Sequence, residues 1–285
     1  MLKNMMTVAS SAILAAGVPA LAFAKDDGAP LLGMPEADES ALSLLEGTFS
    51  NEEHVYFEKE ADRPAPPWMS LNISEEEDVL WLREVDAYGA ELAQPQQVSF
   101  AATNNRAVLS LGDCKHDYVW QEEGWSYAPE QHLTACHQRY TISRIDDGGL
   151  TVQFVDGQES SLKRARQVQC WAAIPKKEKK EGGSTDWYFA NKLEIHDQGG
   201  RVRIGGDESG AEEAILRMRQ VYWPQPSRNR PSLVLYISKP DNPDRSVSYS
   251  WADVDATRVG INLRWMQASC TVVGAELQSP SSPIR

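Results

Sequence analysis

Basic residues are scarce in this chain: 28 Lys and Arg stand against 41 Asp and Glu, a formal charge of −13 at pH 7. Nucleic acids and anionic membranes are bound through clustered Lys and Arg, so neither is expected as a partner. The one dense basic run, Lys176-Lys177-Glu178-Lys179-Lys180, is interrupted by acid and leads into Gly182-Gly183-Ser184, the composition of a solvated loop. Also missing are a Gly-x-Ser-x-Gly elbow, a phosphate-binding glycine loop and a His-Glu-x-x-His pair. No nucleophile, nucleotide site or zinc-protease site follows from motifs. Spacing alone singles out no pair of catalytic carboxylates, which leaves hydrolysis of a glycosidic polymer with little support. Beyond the first 24 residues no run is long and apolar enough to cross a bilayer, so no integral membrane segment is expected.

Cysteine is limited to Cys114, Cys136, Cys170 and Cys270, and no two form a Cys-x-x-Cys pair. A thioredoxin-like site and a zinc ribbon are thereby excluded. His116, His132, Cys136 and His137 are close in sequence, but their spacing is not that of a zinc motif and no metal is expected.

What the N-terminus does have is Lys3, an apolar stretch from Val8 to Phe23 broken by Ser10, Ser11 and Pro19, and then Ala22-Phe23-Ala24. This is the pattern of a cleaved signal peptide, with cleavage expected near Ala24 and a periplasmic or secreted mature chain. Its removal takes one Lys and no acid, moving the charge from −13 to −14. No Cys follows the apolar run, so a lipid anchor is not indicated. In an oxidising compartment all four cysteines are disulfide candidates, with three possible pairings.

Residues 25–40 are acidic and rich in Gly and Pro, which predicts a flexible linker. Glu39 to Glu46 reads as a short helix ended by Gly47, and Ser50 with Glu53 has capping-box spacing for a second helix reaching about Lys59. From Trp68 the pattern turns to period two. Strands are predicted at 78–85, one or two within 98–111, 150–154 closing at Asp156-Gly157, 168–174, 187–195 and 201–204. Five more follow at 218–223, 232–238, 247–251, 259–265 and 270–273. Strand–helix alternation is absent, so a parallel α/β sheet is excluded. The expectation is all-β, mainly antiparallel: one domain over 41–277, a β-barrel of roughly ten strands with short N-terminal helices. Residues 278–285 are expected to be a disordered tail.

The stretch Leu44-Leu45-Glu46-Gly47-Thr48-Phe49-Ser50-Asn51-Glu52-Glu53-His54 resembles the opening of the CpcT/CpeT chromophore-lyase family. Compatible pieces follow in order: Leu80-Trp81-Leu82-Arg83-Glu84, Thr134-Ala135-Cys136, Phe154-Val155-Asp156-Gly157, Gln169-Cys170, and Lys192 to Gly200 with its Asp197-Gln198-Gly199. The resemblance spans about 43–206. A Pro-Tyr-Arg-like stretch usual in the family is replaced here by Ala93 to Phe100, and the family's phycobiliprotein substrates are not periplasmic. The resemblance implies a calycin-like barrel that binds a bilin or similar hydrophobic tetrapyrrole and delivers it to a Cys of an acceptor protein. The alternative is a non-catalytic secreted β protein in envelope assembly or protein interaction.

On that reading Glu84, at the end of an apolar strand, points into a cavity to meet a pyrrole nitrogen, with Arg139 and Tyr140 also facing inward. Its bland counterpart is a rim carboxylate paired with an Arg. Cys136 and Cys170 fall in the family's cysteine-bearing segments and are expected to be disulfide-bonded. A second bridge then joins Cys114 and Cys270, or Cys114 pairs instead with Cys136 around the Glu122-Glu123-Gly124 turn. Trp81, Trp171, Trp187 and Trp265 are expected in the core.

Overall fold

Period-two burial dominates the chain. The computed structural model describes residues 42–128, 136, 138–179 and 182–274; the expected signal peptide, linker and C-terminal tail lie outside them. The first ten strands are β1 (Gly47–Ser50), β2 (Ser70–Glu76), β3 (Val79–Glu84), β4 (Gln96–Thr103) and β5 (Arg106–Leu111), then β6 (Cys114–Gln121), β7 (Gly124–Tyr127), β8 (Tyr140–Asp146), β9 (Gly149–Phe154) and β10 (Glu159–Ala165). Each pairs antiparallel with the next, and β1 closes the ring between β10 and β2. Closure leaves no strand edge unpaired around the ring. Alternate residues point inward, as Ala107, Leu109 and Leu111 on β5 and Leu150, Val152 and Phe154 on β9 show. Inside, Phe100 meets Tyr118 and Trp125 edge to face at 6.3 and 5.6 Å between centroids. Bulky side chains therefore occupy the lumen.

Turn chemistry keeps the hairpins tight. Glu77 and Asp78, and again Glu122 and Glu123, hold positive φ in two-residue turns whose twist matches the strands. Gly149 is required by close approach: a Cβ there would lie 2.1 Å from the Leu162 carbonyl oxygen.

The helix α1 (Glu52–Glu60) follows β1. The expected capping box is not formed. Ser50 Oγ accepts from the Glu52 N–H at 3.2 Å, whereas the Glu53 carboxylate turns away to Lys163 and the Tyr222 N–H. Of the helix expected over 39–46, only its last residues are described, with Leu42 and Ser43 helical.

The expected ten strands are thus used up by residue 165. Strands from Gln167 onward, expected to complete the same barrel, build a second sheet instead. They are β11 (Gln167–Lys179), β12 (Thr185–His196), β13 (Gln198–Gly206) and β14 (Ala211–Val221), then β15 (Ser232–Lys239), β16 (Asn242–Asp253), β17 (Arg258–Leu263) and β18 (Met266–Val272). Their order is β16-β15-β14-β11-β18-β17, with β12 on β11 and β13 on β14. Arg166 marks the break. Its N–H donates to Asp197 Oδ1 at 2.8 Å and its guanidinium grips Oδ2, so the chain leaves β9 and β10 for β12. The sheet's own core gathers Cys170, Leu216, Met218, Leu235, Met266 and Cys270.

Two disulfides follow this division: Cys114–Cys136 in the barrel and Cys170–Cys270 across neighbouring β11 and β18. The pairing of Cys136 with Cys170 and Cys114 with Cys270 does not occur, because each would tie the barrel to the sheet core. The described part of the basic run is likewise not a loop. Lys176 to Lys179 end β11, where Lys176 pairs with Asp186 and Lys177 with Asp207. Among the described residues no helix is long and apolar enough to cross a membrane.

Candidate functional site

Glu84 shares the inward phase of Leu80 and Leu82 and ends β3 at one mouth of the barrel. Its carboxylate is nine-tenths buried and takes a hydrogen bond from Arg139, whose guanidinium is 73% exposed. Tyr140, the first residue of β8, is buried beside them, with its ring edge-on to Phe154 at 6.4 Å. Burial, the charge of Glu84 and a hydrogen bond to it hold the Tyr140 hydroxyl protonated far above the usual phenol range. The structure thus places all three residues singled out in the sequence side by side, but of the pair expected to face inward only Tyr140 does, while Arg139 stays largely exposed because adjacent strand residues point to opposite faces. It also realises the bland feature foreseen for Glu84, an ion pair with an Arg.

Beside the pair lies a cavity of about 280 Å³ walled by Trp68, Met69, Leu92, Phe154 and Val155, with Glu84, Arg139 and Asp156 as its charged groups. Small-molecule pockets run from about 300 to 1,000 Å³, so this one takes an end of a ligand rather than the whole. Trp68 and Leu92 carried no sequence signal: one follows a proline cluster and the other sits in an irregular stretch.

The motif behind the family resemblance does structural work around this mouth. Phe49 fills the barrel core. Asn51 donates to the Pro67 carbonyl at 2.8 Å and to Ser160 Oγ at 3.0 Å, and its Oδ1 accepts from the Met69 N–H at 2.7 Å. One buried amide therefore pins residues 67–69, and with them the Trp68 wall, to the start of α1.

On its other side α1 meets the second sheet through buried charge. Glu52 accepts from Trp68 Nε1 at 2.8 Å and faces Arg217 Nη1 at 3.5 Å and Arg219 Nη1 at 4.0 Å. The Arg219 guanidinium, 2% exposed, lies 4.1 Å over the Tyr56 ring, and Arg217 lies 4.8 Å over Tyr236. Space for Glu52 comes from Gly199, where a Cβ would stand 2.6 Å from the Glu52 side chain. Asp197, fully buried, also accepts from Gln220 Nε2 at 2.7 Å. The His-Asp-Gln-Gly-Gly stretch noted in the sequence is thus the seam between barrel and sheet.

No family model, curated protein or solved structure matches this chain.

His196 sits in the same seam. Burial lowers its pKa to about 4 against the opposing pull of Asp197 and Glu52, and its Nδ1 accepts from the Gln198 N–H at 3.3 Å, as the neutral ring does. A His depressed in the fold binds its proton more readily when unfolded. Its contribution is therefore complete above about pH 6.5 and is lost as pH falls towards about 4. Urea midpoints of wild type and His196→Gln measured across this window should differ in slope, the variant falling less steeply with acid. Parallel curves contradict this assignment.

The remaining expectations resolve simply. Trp265 is half-buried and packs against the sheet core, whereas Trp81 and Trp187 are half-buried away from either core and Trp171 is 36% exposed; the fully buried tryptophan is Trp125. Cys136 is bridged to Cys114 and offers no thiolate, and His116 is buried against the Tyr127 ring. His132 and His137 lie outside the described residues. Among the described residues no three His, Cys, Asp or Glu side chains converge to hold a metal.

Proposed function

We propose that this is an exported, non-catalytic binding protein that holds an amphipathic small molecule by one end at the barrel mouth, as a CpcT/CpeT-like protein would hold a bilin. The observation that carries the reading is a nearly buried carboxylate, Glu84, paired with an exposed guanidinium inside a cavity walled by Trp68, Met69, Leu92 and Phe154. Few polar groups in an apolar wall fix orientation, which is what a binding pocket needs. Pyrrole N–H groups would donate to Glu84, and a ligand carboxylate would share Arg139. All four cysteines are in disulfides, so the chain keeps no thiolate for a covalent bond to the ligand. Transfer, if it follows, would use a thiol of an acceptor protein.

The test is a titration of the chain from Lys25 onward with biliverdin, read by absorbance. One equivalent should saturate a spectral shift, and Glu84→Gln or Arg139→Ala should weaken binding about tenfold or more, the loss of one charge-assisted contact. Arg139 is exposed enough for its replacement to leave the fold intact. An absent shift, or affinities untouched by both substitutions, would sink the reading.

A further inference from the structure

We propose that the outer face of β14–β16 is a second binding groove, and that its ligand is an acidic oligosaccharide. Strand β16 presents Val247, Tyr249 and Trp251 to solvent at 54, 62 and 67% exposure. Same-face neighbours on a strand stand about 7 Å apart, so Tyr249 and Trp251 form a row, which Ser246 continues past the bulge at Val247. Tyr236 of β15 lies directly across from Tyr249, with ring centroids 6.2 Å apart, and Trp223 walls the groove after β14. The groove encloses about 550 Å³. Scattered apolar residues on a surface are ordinary, but a contiguous aromatic patch marks an interaction site.

The rings are held in place from behind. The Arg217 guanidinium lies on Tyr236, and Trp223 meets Phe57 of α1 edge-on at 6.0 Å. A preset platform loses little freedom on binding.

Charge selects the ligand. Arg228 and Arg230 line the groove with Asn229, Ser232 and Ser246, no carboxylate lines it, and neither Arg has an acidic partner among the described residues. On a chain of charge −13 this is a positive concavity, complementary to carboxylate or sulfate groups that guanidinium binds bidentately. With Tyr249 and Trp251 more than half exposed, the groove does not enclose a wholly apolar molecule. The rings offer flat faces, suited to the C–H face of a sugar ring whose hydroxyls then reach Ser and Asn. Single-stranded nucleic acid also stacks on such rings, but it is tracked along its phosphates by a longer basic groove than Arg228 and Arg230 provide.

The experiment is calorimetric titration of the chain from Lys25 onward with an oligogalacturonate hexamer, its methyl-esterified counterpart, a heparin hexasaccharide and a thymidine oligonucleotide. Saturable binding of an acidic hexamer is expected, about tenfold or more weaker in Trp251→Ala and in the Arg228→Ala/Arg230→Ala double variant. The esterified form should bind more weakly than the acid, and added salt should weaken the acidic ligand. These side chains are at the surface, so unfolding midpoints should hold. Failure of both acidic hexamers to bind, binding that both variants leave intact, or preference for the oligonucleotide each overturns the proposal.

Discussion

Glu52→Gln should remove about 3–5 kcal/mol of folding stability, the cost of leaving buried charge without its partner. Glutamine keeps the shape and can still accept from Trp68 Nε1, so the loss isolates charge from packing. Behind it stand Arg217 and Arg219, both buried, with Glu52 their nearest counter-ion. Arg219 Nε and Nη2 and Arg217 Nε have no hydrogen-bond partner among the described residues, so the guanidiniums depend on Glu52 and on the Tyr56 and Tyr236 faces. A urea titration reads the change. Adding Arg219→Met to Glu52→Gln should recover part of it, because one stranded cation is removed together with its desolvation cost. An unchanged midpoint in the single variant would mean that water reaches these guanidiniums.

The second large effect is the loss of the Cys170–Cys270 bridge. It spans 100 residues of sequence and Cys114–Cys136 spans 22. Loop-closure entropy assigns about 4.7 kcal/mol to the longer loop and about 3.4 kcal/mol to the shorter. Both sulfurs of the longer bridge also lie in the sheet core, with Cys170 and Cys270 at most 2% exposed. Cys170→Ala/Cys270→Ala should therefore lower the unfolding midpoint more than Cys114→Ala/Cys136→Ala. The reverse order would contradict both the chain-entropy and the burial argument.

Strand character was legible wherever one face is buried. Leu150, Val152 and Phe154 alternate with Thr151 and Gln153, and the Asp156-Gly157 turn follows β9 as the sequence implies. Less legible were β6 and β10: Cys114–Gln121 mixes His116 and Tyr118 into its inward phase, and Glu159–Ala165 hides Leu162 among Ser and Lys. The division between barrel and sheet had no hydrophobic signature at all. It is written in polar contacts between residues far apart in sequence, Arg166 with Asp197 and Glu52 with Arg217, which periodicity does not register.

The mouth residues show the same contrast. Glu84 stands out in the sequence as an acid at the end of an apolar strand, with Arg139 and Tyr140 following closely on Cys136. Trp68 and Leu92 were missed because they stand outside regular strands. The capping-box reading of Ser50 and Glu53 failed because Glu53 has stronger tertiary partners in Lys163 and the Tyr222 N–H. Nothing local announces them.

Binding at the barrel mouth is tested most directly by amide hydrogen exchange with and without biliverdin. Protection should appear in 67–70, 84–92 and 139–140 and in the 154–156 turn, the segments around Glu84, and should be weaker in Glu84→Gln at the same biliverdin concentration. Protection confined to other strands, or none at saturating ligand, would contradict a ligand site at this mouth.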